Sequence, residues 1–191
     1  MRRLALALGV LLAAASPTSA ADDSLWNLLR GGGQVVLIRH AATDMSQRDQ
    51  AGAPLSDCAR QRNLTDEGRA DARRINEVFR ARGIPVGKVL SSAYCRCLET
   101  AHLGFGSAEA WLPLQFALRM PDVQAERTAQ IRAIAGERPA GGNLVLVTHQ
   151  LTIRAVTGVA VAEGEMLVVT PRGGAQFEIA GRIPTEDLSD P

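Results

Sequence analysis

The chain has 191 residues, with 21 Lys and Arg against 20 Asp and Glu, a formal net charge of +1, and 4% aromatic residues. A nucleic-acid surface needs a basic excess and aromatic rings for stacking, so the composition argues against that class. The length suits one domain with a real core and is short for two.

In chain order, Met1-Arg2-Arg3 is followed by a Leu- and Ala-rich run from Leu4 to Ala15 and then by "SPTSAAD". A basic start, a short apolar run and small residues describe a secretory signal peptide, with cleavage expected after Ala20 or Ala21. The domain division is therefore a signal peptide over 1–21 and a single domain over 22–191. The run is too short to span a bilayer, and no other segment approaches the roughly 20 apolar residues a membrane helix needs. The mature protein is expected to be periplasmic or secreted, with no transmembrane segment after cleavage.

"RGGGQ" precedes an apolar run and reads as a turn, and "QVVLIRH" reads as the first buried strand. From Met45 to Arg62 neither the helical nor the strand period is present, which predicts a long loop of functional use. Thr65 to Arg82 then reads as a helix. Thr65 caps it, Asp66 and Glu67 sit at the positive end of its dipole, and Ala72, Ile75, Val78 and Phe79 form an apolar face that ends at Gly83. "GKVLSS" is a strand, followed by a helix from about Tyr94 to Gly104. "AWLPLQF" is expected as a strand, 123–138 as a helix, "NLVLVTH" as a strand and 151–158 as a helix. "EMLVVTP" and "AQFEIAG", joined by "TPRGGA", suit a hairpin. Strands alternating with helices predict a three-layer α/β/α fold with a mainly parallel central sheet and an antiparallel C-terminal edge hairpin.

Three segments share one layout, in which an apolar strand runs into polar residues and then a helix start: "VLIRHAATD", "VLSSAYCRCLETA" and "VLVTHQLTI". Parallel strands would bring His40 and His149, with Arg39 and Arg96, to one edge of the sheet, where ligand sites of α/β folds collect. Arginine forks match phosphate oxygens, and a neutral imidazole is a competent nucleophile toward phosphorus. The set therefore points to a phosphoryl group.

"LIRHAATD", "LTDEGRADA", "SSAYCRCLETA" and "VTHQLTI", in this order, resemble the histidine phosphatase superfamily, also called phosphoglycerate-mutase-like, over about residues 35–158. Ala41 stands where the family usually has glycine after the Arg-His pair. The resemblance implies that His40 is a nucleophile that becomes phosphohistidine, that Arg39 and Arg96 grip the phosphoryl oxygens, and that His149 supports the group in transfer. It also implies that Thr43 lies near the phosphate. Neither metal nor cofactor is implied. Arg62, with Arg60 beside it, is a candidate for binding the rest of an anionic substrate, and His102 is read as structural. Many members place a glutamate after the strand that follows the second arginine's helix. Here that region, "WLPLQFALRMPD", has no acid before Asp122, so Asp122 is the first candidate for general acid and Asp44 the second.

Three cysteines in an exported chain leave one unpaired if a disulfide forms. In the family the position after the motif arginine commonly holds a small buried residue. That assigns Cys97 to packing and pairs Cys58 with Cys95, with Cys97 as the alternative partner. The expected activity is hydrolysis of a phosphomonoester through phosphohistidine. The substrate is expected to be a small phosphorylated molecule such as a sugar phosphate or an envelope glycan phosphate. A non-catalytic phosphoester-binding module and a phosphomutase are the other readings.

Overall fold

The computed structural model describes residues 20–188; most of the signal peptide expected over 1–21 lies outside the described residues. Six strands form one sheet: β1 (Val35–Arg39), β2 (Val86–Ser91), β3 (Glu109–Ala110), β4 (Asn143–Thr148), β5 (Met166–Gly173) and β6 (Gln176–Ile183). Their spatial order is β3-β2-β4-β1-β5-β6. β1, β2, β3 and β4 pair in parallel, whereas β5 runs antiparallel to β1 and β6 antiparallel to β5. The mainly parallel sheet with a C-terminal antiparallel hairpin is thus as expected from the alternation of patterns.

Among the described residues five α-helices cover the sheet: α1 (Ala20–Arg30), α2 (Asp66–Ala81), α3 (Cys95–Phe105), α4 (Pro121–Gly136) and α5 (Gln150–Thr157). Because side chains alternate along a strand, β1 and β4 feed two cores. Val36, Ile38, Val145 and Val147 pack with Leu29 of α1, Ile75 and Phe79 of α2, and Cys97 and Ala101 of α3. Val35, Leu37, Leu144 and Leu146 pack on the other face with Ile131 and Ala135 of α4 and Ile153 and Val156 of α5. Both faces of β1 and β4 are covered, which is why their sequences read as continuous apolar runs.

Two expectations need correction. "AWLPLQF" is not a strand: β3 ends at Ala110, and Leu112–Leu114 forms a 3-10 turn. Pro113 has no N–H to give a ladder and its φ is fixed, so the sheet's last hold here is Trp111 N–H donating to the Ser91 carbonyl at 2.8 Å. The helix expected over 123–138 starts earlier, at Pro121, the first-turn position where a missing N–H costs nothing. It also stops earlier, at Gly136. In addition, α1 was not anticipated; it docks through Leu25, Trp26 and Leu29.

α2 begins as its sequence dictates. Thr65 accepts the Gly68 N–H at 3.0 Å, and the Thr65 N–H donates to the Ala42 carbonyl at 3.0 Å. Gly68 is required by close approach: a Cβ there would stand 2.2 Å from the Ala42 oxygen. The helix start therefore lies directly against the segment that follows His40.

Candidate active site

β1 and β4 are neighbours in register, Arg39 opposite Thr148, and the His40 N–H donates to the Thr148 carbonyl at 3.0 Å. The next residue of each segment is thereby delivered to the same edge. His40 and His149 stand with ring centroids 5.6 Å apart and planes at 67°. β2 ends beside them, and the start of α3 supplies Arg96, which is buried and lies over the Tyr94 ring at 4.5 Å. Tyr94 in turn meets His149 edge-on at 5.1 Å.

His40 is 2% exposed, and its Nδ1 lies 3.0 Å from the Ala41 carbonyl oxygen. A carbonyl only accepts, so the proton is on Nδ1 and the lone pair on Nε2. Burial, aided by Arg96 and Arg39, pulls the His40 pKa down to about 4. The ring is neutral at pH 7, the state a nucleophile needs. His149 is held well below the ordinary histidine range, first by burial and then by Arg96, His40, Arg62 and Arg39. Its Nε2 pairs with the Ser92 hydroxyl at 2.9 Å, and the Cys97 sulfur sits 3.7 Å from the same atom. Burial pushes the Cys97 thiol up to about 12, so this sulfur is a packing group and not a second nucleophile.

A cavity of about 320 Å³ opens on these groups, lined by Arg39, His40, Arg62, Arg96 and His149 together with Asp49, Tyr94, Gln150 and the apolar Phe116, Leu118 and Leu151. Three guanidinium groups face one carboxylate, which is an anion site by charge alone. Arg39 is tied to Glu163 at 3.1 Å, to the Val161 carbonyl at 3.1 Å and to Gln150 at 3.3 Å. Arg96 is tied to Asp49 at 2.9 Å, and Asp49 also accepts the Arg62 N–H at 3.0 Å. Even so, Nε of Arg39, of Arg62 and of Arg96 is buried without an acceptor.

The structure thus brings together five residues expected from sequence: Arg39, His40, Arg62, Arg96 and His149. It separates the others from the cavity. Thr43 does not line it; its hydroxyl donates to Glu163 at 2.8 Å and its N–H to the same carboxylate at 3.3 Å, so Thr43 touches the site only through the partner of Arg39. Asp122 is exposed in the first turn of α4, away from the lining. Asp44 accepts from the Ser46 hydroxyl and N–H and from Gln47, bonds that hold its carboxyl below the usual range and occupy it in its own turn. Arg60 is bonded to Gln50, and His102 borders a separate cavity with Arg69 and Glu99.

Asp49, Glu163, Ser92, Tyr94 and Gln150 were missed. Ser92, Tyr94 and Gln150 lie inside quoted motifs and could have been found as strand-end neighbours of the charged residues. Asp49 and Glu163 lie in irregular segments, where sequence carries no period to place them. Cys58 and Cys95 form a disulfide with Cα atoms 5.6 Å apart, and Cys97 is free and buried. The bridge ties the long loop carrying Asp49 and Arg62 to the residue preceding Arg96.

Residues 35–115 match the histidine phosphatase superfamily (branch 1), a span that covers the Arg-His pair, Arg96 and the disulfide. Over that span the chain is similar to the histidine phosphatase superfamily. No curated protein matches it in sequence. Its fold is similar to that of the protein histidine phosphatase SixA complexed with tungstate, at 16% identity and a TM-score of 0.56, covering 82% of this chain and 99% of that one. It is similar as well to a functionally characterised open reading frame of Mycobacterium tuberculosis, at 18% identity and a TM-score of 0.56, covering 76% and 94%. A phosphoserine phosphatase mutant of Entamoeba histolytica in complex with phosphoserine gives 12% identity and a TM-score of 0.53, covering 81% and 98%. At such identities the likeness is one of fold, and the chemistry must be argued from the superfamily residues in this chain.

Proposed function

We infer that the protein is a phosphomonoesterase that works through a phosphohistidine on His40. The observation that carries this reading is a neutral, buried His40 with a free Nε2, 5.6 Å ring to ring from His149, in a cavity shared with Arg39, Arg62 and Arg96. The phosphatase activities named for SixA and for the Entamoeba protein agree with it.

In this mechanism Nε2 of His40 attacks phosphorus in line, the N–P bond forms, and the P–O bond to the leaving group breaks. Charge on the equatorial oxygens is met by Arg39, Arg96 and Arg62, donors already positioned before the reaction. His149, neutral and held by Ser92, offers a polar contact to the phosphoryl group without adding a fixed charge. Water then attacks phosphorus, the N–P bond breaks with its electrons returning to Nε2, and inorganic phosphate leaves. Asp49 is the one carboxylate in the lining, and it is engaged as an acceptor by Arg96 and Arg62. It therefore competes with substrate for Arg96, and leaving groups that need little protonation are favoured.

We propose further that the protein acts after export to the periplasm or outside the cell. The Cys58–Cys95 disulfide supports this location, since such bonds persist in oxidising compartments. The test of the catalytic reading is brief incubation of wild type and His40→Ala with p-nitrophenyl phosphate. Wild type should turn over and carry acid-labile, base-stable phosphate on His40, and the variant should do neither. Turnover by His40→Ala above a few per cent of wild type would remove the covalent step.

A further inference from the structure

Among the described residues, few large apolar side chains stand in solvent: Met45, Leu112, Leu118, Met120, Leu151 and Ile179. Scattered singly, such residues need no explanation. Two of them, Leu118 and Leu151, are 66% and 47% exposed and line the cavity that holds the two imidazoles, where Phe116 joins them. They come from two different elements, the segment before α4 and the first turn of α5.

Leu118 does not owe its exposure to a slack loop. The Gln115 carbonyl accepts from Arg127 at 2.7 Å and the Ala117 N–H donates to the Gln124 side chain at 2.8 Å, so α4 grips the segment on the N-terminal side of Leu118. On the other side Arg119 is held at φ 63, a left-handed conformation unfavourable for a residue with a Cβ. An apolar side chain fixed toward water by a gripped and strained segment, at the mouth of an anion site, is suited to covering something. At the cationic end the Gln150 side-chain oxygen accepts from Arg39, Asp49 bonds Arg96, and the Tyr94 ring packs on Arg96 and His149. Phe116, Leu118 and Leu151 themselves offer no side-chain hydrogen bond to the hydroxyls of a polyol seated on them.

We propose that the substrate is a phosphomonoester of an apolar alcohol, alkyl or aryl, whose carbon portion seats on Phe116, Leu118 and Leu151, and not a sugar phosphate. The inference rests on the phosphatase reading above and replaces the sugar phosphate expected from sequence. The experiment is a rate series on ethyl, butyl and hexyl phosphate with glycerol 1-phosphate beside them, all primary alkyl esters, so that differences report binding more than leaving-group reactivity. kcat/KM should rise with chain length, by up to about fourfold for each methylene fully buried, and glycerol 1-phosphate should fall with or below ethyl phosphate. Leu118→Ser combined with Leu151→Ser should flatten the series, with the inhibition constant of inorganic phosphate as the check that the cationic end is still formed.

Equal kcat/KM for glycerol 1-phosphate and hexyl phosphate, or a chain-length slope that survives in the double variant, would overturn the proposal. Binding of ethyl- and hexylphosphonate by calorimetry separates this from the catalytic reading. If neither these esters nor p-nitrophenyl phosphate is hydrolysed yet hexylphosphonate binds at least tenfold tighter than ethylphosphonate, the apolar seat stands and the phosphatase reading fails. If the two phosphonates bind alike while esters are hydrolysed, the reverse holds.

Discussion

Acid should destabilise this fold through His40 in particular. In the unfolded chain its imidazole takes up a proton near the ordinary value of 6.5, whereas in the folded protein burial delays this to about 4. Between those values the unfolded state binds more protons, so stability is full above pH 6.5, falls as pH drops toward 4, and changes no further from this group below that. The gap between 6.5 and about 4 corresponds to about 3 kcal/mol, most of which is already lost at pH 4.5. Solvent screening takes little from this figure, because the side chain is 2% exposed. The assay is urea unfolding of wild type and His40→Asn at pH 7 and pH 4.5. Other groups titrate in both proteins, His149 among them, so the quantity of interest is the difference between the two pH dependences. Wild type should lose roughly 2 kcal/mol more than the variant on going to pH 4.5. Equal losses would mean that His40 is not held neutral by burial, and the argument for a ready nucleophile would lose its basis.

Arg96→Ala should cost at least a hundredfold in kcat/KM, as for loss of one preorganised donor at a charged site, measured on p-nitrophenyl phosphate. Asp49→Asn should bind inorganic phosphate up to about fivefold more tightly, since a half-exposed carboxylate of this kind is worth at most about 1 kcal/mol to its arginine and here competes with the ligand; inhibition constants read this directly. Reducing Cys58–Cys95, whose ends are 37 residues apart, should lower unfolding free energy by up to roughly 4 kcal/mol, seen as a shifted urea midpoint with and without reductant. Gly68→Ala should destabilise by about 1–3 kcal/mol or more, because the new Cβ meets backbone oxygen and not a movable side chain.

What could be read from the sequence follows periodicity and punctuation. β1 and β4 are covered on both faces and so appear as "VVLI" and "LVLV", and the residue after each strand could be located without coordinates. Thr65, Asp66 and Glu67 announce the start of α2 by capping chemistry. Pro113 argued against a strand in "AWLPLQF", but the apolar residues around it were given more weight. The general acid is expected at Asp122 after β3 or at Asp44 after β1, whereas the carboxylate that reaches the cavity, Asp49, comes from the aperiodic loop beyond Asp44. Its position depends on Arg96 and on the disulfide, contacts between segments far apart in sequence. Glu163 is set in the same way, by Arg39 and Thr43 across 120 or more residues. Gly68 belongs to a quoted motif, yet its reason, the Ala42 carbonyl against the helix, exists only in three dimensions.

The His40 N–H to Thr148 carbonyl bond has a consequence for how the protein fails and how it can change. It makes the two histidine-bearing segments part of the innermost parallel pair of strands, so they cannot separate unless the sheet opens at its centre. Amide exchange at His40 should then require global unfolding, while amides in 45–62 and 115–120 exchange through smaller openings. Heat should separate the two imidazoles only when the whole domain melts, with no cooler intermediate that is folded but has lost its imidazole pair. Phe116 and Leu118 hang outside this unit, whereas Leu151 stands on α5 just after His149, so ester preference can be redesigned first through 115–120 while the reacting pair stays where the sheet puts it.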